Sequence, residues 1–192
     1  MINFIDTPIQ LPGDMTGSNR VSWCGDSTMM MPERLQWFAQ ARYGLFMHWG
    51  LYSVLGRGEW VFNRERWEMT DYAKLADQFN AEHYDPKTWA MLARGAGMRY
   101  AVLTSKHHEG FCLWDSKTCT FNATNSAAKR DLFGEYVQAF RDAGLKVGVY
   151  YSLGDWYNPD WARGFQGDEA AYQRFMDYTR ALLTELLTDY GK

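Results

Sequence analysis

Arg99-Tyr-Ala-Val-Leu-Thr-Ser-Lys-His-His-Glu-Gly-Phe-Cys-Leu-Trp-Asp115 opens as a β-prone apolar run and closes on a crowd of ionisable and aromatic side chains. A run of this length and composition, bounded by turn residues, reads as a buried strand. Side chains on a strand alternate between its two faces, so the adjacent His107 and His108 are expected to point to opposite sides. Buried parallel strands followed by helices gather functional groups at their C-terminal ends, and the histidine pair falls at such an end.

The flanking sequence repeats this design. Arg42-Tyr-Gly-Leu-Phe-Met-His-Trp-Gly50 is a second apolar strand that finishes on a histidine, and Leu145-Lys-Val-Gly-Val-Tyr-Tyr151 is a third, with Ser152, Asp155 and Trp156 following it. Helices separate the strands. Pro32 opens a short one through Leu35, Phe38 and Ala39, and Asp85-Pro86 starts another that Gly97 stops. Thr70 or Asp71 is placed to cap a helix running to about Phe79. Asp131 caps one ending at Gly144, and a long amphipathic helix covers about Asp168 to Asp189. The stretch from Leu51 to Asn63, with Gly56, Gly58, Glu59 and Trp60, reads as a long functional loop. Residues 1–31 show no period and read as an irregular arm, leaving 32–192 as the folded domain.

Strand, loop and helix in succession require parallel pairing with crossover connections. No Gly-rich phosphate turn follows the first strand, which argues against an open nucleotide-binding sheet. The α/β fold expected is therefore a partial TIM (β/α) barrel of about three to four parallel strands, since a closed barrel needs eight strands and roughly 200–250 residues.

Composition narrows the function. The 192 residues are 46% hydrophobic and 22% charged, enough for one sizeable core, and a formal charge of −3 leaves no basic face for nucleic acid. Aromatic residues reach 17%, with 9 Trp and 12 Tyr, a supply of flat faces that can pack against the C–H faces of sugar rings as well as fill a core. Cys24, Cys112 and Cys119 are odd in number and form no CxxC pair, which argues against a disulfide framework. The first residues show neither a basic nor an apolar leader segment, and no stretch has the length of a membrane span, so a cytoplasmic residence without membrane contact is expected. Three histidines at strand ends can serve a zinc ion or a sugar. A zinc site is disfavoured because the pair 107 and 108 diverges on a strand and no His-x-His signature is present.

Six motifs in order, Arg-Tyr-Gly-Leu-Phe-Met-His-Trp-Gly at 42–50, Gly-Glu-Trp at 58–60, Lys-His-His-Glu-Gly-Phe at 106–111, Asp-Ser-Lys at 115–117, Lys-Arg-Asp at 129–131 and Tyr-Tyr-Ser-Leu-Gly-Asp-Trp-Tyr at 150–157, resemble the α-L-fucosidases of glycoside hydrolase family 29. The resemblance runs from about residue 32 to the end and implies a (β/α)8-like barrel that hydrolyses α-L-fucosides with retention, without metal or other cofactor. It implies that His48, His107 and His108 hydrogen-bond fucose hydroxyls and that Trp60 lines the sugar pocket. Tyr150 best matches the family's tyrosine at the third strand end, with Tyr151 as the neighbouring alternative. Trp49 and Trp156 are further candidates for contact with the sugar. Glu59 matches a glutamate considered for acid/base duty.

The family's nucleophile, an aspartate after the fourth strand, and its usual acid/base glutamate have no counterpart in this sequence, which on the resemblance stops short of both. Glu59 and Asp155 are then the candidate catalytic carboxylates, with Glu109 a third possibility near a strand end. Three strands leave open edges and an uncovered face, so assembly of several copies into a composite barrel is expected. The expected partners are fucosylated glycans or aryl fucosides. The competing reading is a fucose-binding or structural half-barrel without turnover.

Overall fold

A computed structural model describes residues 2–4, as backbone, and 32–191. In chain order the elements are β1 (Ile2–Phe4), α1 (Glu33–Ala41), β2 (Gly44–Met47), a 3-10 turn (Leu51–Val54), α2 (Val61–Arg64), α3 (Met69–Tyr72), a 3-10 turn (Ala73–Asp77), α4 (Pro86–Gly95), β3 (Tyr100–Lys106), a 3-10 turn (Ala123–Asn125), α5 (Leu132–Asp142), β4 (Lys146–Tyr151), α6 (Pro159–Phe165) and α7 (Glu169–Asp189).

The helix starts follow from local chemistry. Asp85 accepts from the backbone N–H groups of Lys87 and Thr88 ahead of α4, Asp131 from Gly134 ahead of α5, and Asp168 from Ala171 ahead of α7. Each carboxylate satisfies donors that the first helical turn leaves unpaired. At the other end of α1, Arg42 takes a left-handed φ of 55° and returns its N–H to the Phe38 carbonyl, which stops the helix.

The sheet order is β1-β4-β3-β2. Strands β2, β3 and β4 are parallel, whereas β1 runs antiparallel to β4, pairing Ile2 with Tyr150 and Phe4 with Gly148. The expectation of three to four parallel strands thus resolves into three, and the fourth strand comes from the segment read as an irregular arm. Its pairing partner, Gly148 to Tyr150, lies about three quarters of the chain away, beyond the reach of any local signal. The rest of that arm, with Cys24, lies outside the described residues.

The region from Leu51 to Asn63 is not one continuous loop. Leu51, Tyr52 and Val61 are buried, and burying them folds the chain into a 3-10 turn and the start of α2. The helix expected to reach Phe79 is divided into α3 and the 3-10 turn after it.

Helices α4 and α5 pack beside the sheet, and Ala101, Leu103, Val147 and Val149 join Phe133, Tyr136 and Phe140 in the core. Burial of each large side chain there contributes about 1.5–3 kcal/mol. Tyr136 also donates its hydroxyl to the carbonyl of Ala101 at 2.7 Å, with that of Gly148 at 3.1 Å, tying α5 to β3 and β4. Among the described residues no helix is long and apolar enough to cross a membrane.

One irregularity decides which residues reach the site. Thr104 pairs with Tyr150 and Lys106 with Tyr151, so Ser105 is an extra residue on β3. A bulge of this kind re-aims the side chains beyond it. Strict alternation from Thr104 would send His107 away from Tyr150. With the bulge, Lys106 instead lies over the Tyr151 ring at 4.7 Å, and His107 stacks on Tyr150 at 5.9 Å.

Candidate active site

Three strand ends meet at one mouth. His48 follows β2, and its position is fixed through its neighbour: Trp49 N–H donates to Thr104 Oγ1 at 3.2 Å, while that hydroxyl lies 3.0 Å from the Trp49 carbonyl. The His48 ring lies 5.7 Å from His107 and 5.8 Å from Tyr150, centroid to centroid. His108 is 4.8 Å from His107, edge to face. The two adjacent histidines therefore share one site and do not diverge. Strand β3 ends at Lys106, and a turn closed by Gly110 N–H donating to the His107 carbonyl replaces the alternation of a strand.

Aromatic rings form the next wall. Trp156 stacks on His108 at 5.1 Å, and Trp60 lies 5.0 Å from His108 and 5.2 Å from Trp156. Phe62 also stacks on Trp156, at 5.4 Å, which helps hold that ring in place. Trp60 is exposed and so presents part of its face to solvent.

Burial holds the His48 pKa below its ordinary value, helped by the neighbouring His107 and opposed by Glu59. His108 is lowered by burial first and by His107 second. At neutral pH both imidazoles are uncharged, with one nitrogen to donate and one to accept, which suits them to hydroxyl groups. Ser152 Oγ lies 2.6 Å from His108 Nδ1 and takes one of those two roles. Tyr52 stands 5.6 Å from His107, and burial pushes its phenol far above the usual tyrosine range, so it stays protonated.

Of the remaining candidates only Glu59 lies at the mouth. Trp49 stacks on Tyr84 at 4.5 Å and packs against Phe79 and Trp89, half-buried against the core and away from the histidines' mouth. Tyr151 is buried with Lys106 above its ring and Thr179 of α7 beside its hydroxyl. Asp155 is wholly buried: Oδ2 pairs with Lys106 Nζ at 3.0 Å, and Oδ1 accepts the N–H groups of Tyr157 and Asn158. Glu109 is buried beneath the turn. Glu59 is half-buried at the mouth, near enough for its charge to act on His48 and Tyr52.

Sequence reasoning passed over Thr104, Tyr52 and Gly110. Gly110 has a φ of +85°, and a Cβ there would meet Tyr157 Cβ at 2.5 Å and Asp155 Oδ1 at 2.7 Å. The His-His-Glu-Gly order was the available signal for this residue, since a glycine closing a short turn often supplies a positive φ. Among the described residues no group of three or more His, Cys, Asp or Glu side chains is arranged to hold a metal ion.

Parallel strands that carry imidazoles and aromatic rings to a shared mouth at their C-terminal ends, with helices alongside, define an α/β protein whose strand ends form a common site. The α-L-fucosidase family model matches residues 18–192, and the chain belongs to that family, glycoside hydrolase family 29. An α-L-fucosidase of Branchiostoma floridae is 35% identical over 173 residues, covering 80% of this chain and 38% of that protein. The α-L-fucosidase isoenzyme 1 from Paenibacillus thiaminolyticus superposes with a TM-score of 0.77 at 46% identity, over 83% of this chain and 41% of its own. A family 29 α-L-fucosidase from Bacteroides thetaiotaomicron, trapped as a covalent intermediate with 2-fluoro-fucosyl fluoride, gives a TM-score of 0.79 at 38% identity, over 84% of this chain and 40% of its own. The chain thus spans well under half the length of the relatives it matches.

Proposed function

We propose that the mouth of this sheet binds the fucosyl unit of α-L-fucosides and belongs to a site that hydrolyses the fucosidic bond with retention. The observation that carries this reading is the convergence of His48, His107, His108 and Tyr150 from three strand ends, with Trp60 and Trp156 beside them. A deoxyhexose offers several hydroxyls and an apolar C–H face. Neutral imidazoles answer the first and indole rings the second.

Retaining hydrolysis takes two carboxyl groups about 5–5.5 Å apart. One attacks the anomeric carbon while the other protonates the departing oxygen. Water, deprotonated by the second group, then displaces the first and releases the sugar. The covalent intermediate trapped in the Bacteroides relative supports this two-step route. Among the described residues Glu59 is the carboxylate suited to the proton-transfer role, being half-buried beside His48. Asp155 is assigned to positioning, because both of its oxygens are committed inside the protein. The attacking carboxylate is assigned to chain outside the described residues.

Strand β2 is an edge of the sheet, and beside it Leu45, Met47, Trp89, Leu92 and Met98 line an apolar groove of 570 Å³. The relatives are more than twice as long, and in a closed barrel this edge and groove are covered by further strands and helices. In the proposal a second copy of this chain covers them.

The test is titration of the purified chain with L-fucose, followed by histidine NMR, alongside an aryl α-L-fucoside assay. Millimolar or tighter binding that His48→Ala weakens roughly five- to tenfold is expected, since a lost hydrogen bond to a sugar costs about 1–1.5 kcal/mol. Binding without turnover would favour a sugar-binding module. Absence of binding would overturn the reading.

A further inference from the structure

Two polar atoms behind the sugar-facing histidines are buried without a hydrogen-bond partner and face one another. His107 Nδ1 lies 3.6 Å from Glu109 Oε2, and both side chains are almost wholly excluded from solvent. This is ion-pair range and slightly longer than a hydrogen bond. Leaving a carboxylate and an imidazole nitrogen so enclosed and unpaired is strongly unfavourable, so their mutual pairing is the favoured arrangement.

The local chain geometry makes the approach possible. The turn from His107 to Gly110 folds Glu109 back under the histidine it follows by two residues, and Gly110 holds the turn against Asp155 and Tyr157. Gly50 leaves room on the other side, where an added Cβ would lie 3.5 Å from Glu109 Oε1. The nearby Tyr72 has its hydroxyl buried and unpartnered, and burial together with the Glu109 charge drives its pKa far above the ordinary value. Tyr72 therefore remains a neutral phenol and does not compete as a base.

We infer that Glu109 is a positioning residue for the sugar site: its carboxylate accepts from His107 Nδ1–H and so presents the opposite nitrogen, Nε2, as a hydrogen-bond acceptor for a fucose hydroxyl. The partner of one ring nitrogen selects the tautomer and orientation of the other. Within the described residues His107 Nε2 makes no hydrogen bond. His108 is set differently, with Ser152 Oγ at its Nδ1, so the adjacent imidazoles are tuned by different partners and read different sugar hydroxyls. This inference rests on the sugar-binding reading above.

The test is long-range proton–nitrogen correlation of the chain labelled at histidine nitrogen, at pH 7.5, with His107 assigned by the signal lost in His107→Asn. The Nδ1–H tautomer is expected for His107 in the unaltered protein, and Glu109→Gln, whose amide can both donate and accept, is expected to give a mixture of tautomers. L-Fucose affinity should fall roughly three- to tenfold in Glu109→Gln. Glu109→Asp, which keeps the carboxylate, should retain more of the tautomer preference. An Nε2–H tautomer in the unaltered protein overturns the inference even if every variant misfolds, as does a tautomer unmoved in a folded Glu109→Gln. If fucose shifts no histidine signal while His107 shows the expected tautomer, the sugar-binding reading fails and the Glu109–His107 pairing stands.

Discussion

Lys106 and Asp155 form an ion pair of 3.0 Å in which neither side chain reaches solvent. Lys106 Nζ also donates to the Ser152 carbonyl at 3.1 Å, and Trp156 N–H donates to the His108 carbonyl at 2.7 Å. The ends of β3 and β4 are therefore locked together directly behind His108 and Trp156.

Breaking that lock should be costly. Asp155→Ala leaves a buried ammonium without its counter-ion and is expected to destabilise the chain by about 3–5 kcal/mol. Urea unfolding measures this. Replacing both partners, as in Lys106→Met with Asp155→Leu, should cost markedly less than the single change, because no uncompensated charge remains. A single variant within about 0.5 kcal/mol of the unaltered protein would show that the pair does not hold the two segments.

Gly110→Ala should cost about 2–3 kcal/mol, since the new methyl meets Tyr157 and Asp155 and the residue must keep a φ of +85°. The same variant is expected to lower fucose affinity by displacing the turn that carries His107 and His108. Calorimetric melting and fucose titration on one preparation check both effects.

Stability should decline on mild acidification. His48 and His108 have folded-state pKa values below the ordinary 6.5, so in the unfolded chain they take up protons first. The unfolded state then binds more protons as pH falls below 6.5, and ΔG of unfolding drops until the folded-state pKa values are passed. Urea midpoints should fall as the pH drops below 6.5. His48→Ala combined with His108→Ala should flatten that slope, and an unchanged slope would assign the acid sensitivity to other groups.

Association through the β2 edge predicts a concentration-dependent assembly. Leu92 is 67% exposed beside the apolar groove, and Met91 next to it is 71% exposed. Leu92→Glu should shift the population toward monomer in light scattering at micromolar concentration while leaving the circular dichroism spectrum intact. An unaltered chain that is already monomeric there would exclude a second copy as the occupant.

Much of the scaffold was legible in the residues. Asp85, Asp131 and Asp168 announced their helices because capping acts over two or three positions, and β3 and β4 announced themselves because burial on both faces needs unbroken hydrophobicity; the edge strand β2 was marked by its apolar, β-prone run alone. The six motifs also carried the family. The division of labour among the candidates was not legible. Trp49 and Trp156 look alike in sequence, yet one stacks on Tyr84 against the core and the other on His108 at the mouth. Asp155 and Glu59 are both acids near strand ends, yet one is sealed against Lys106 and the other remains half-buried beside His48.

The sequence by itself determined the alternation of the three parallel strands with α1, α4, α5 and α7, and the family. Tertiary structure alone decided that His107 turns toward Tyr150 and shares a site with His108. The first rests on one extra residue, Ser105, in the pairing of β3 with β4, a register set by packing between segments some forty residues apart, where local periodicity carries no information, and the second on the turn that replaces the strand after Lys106.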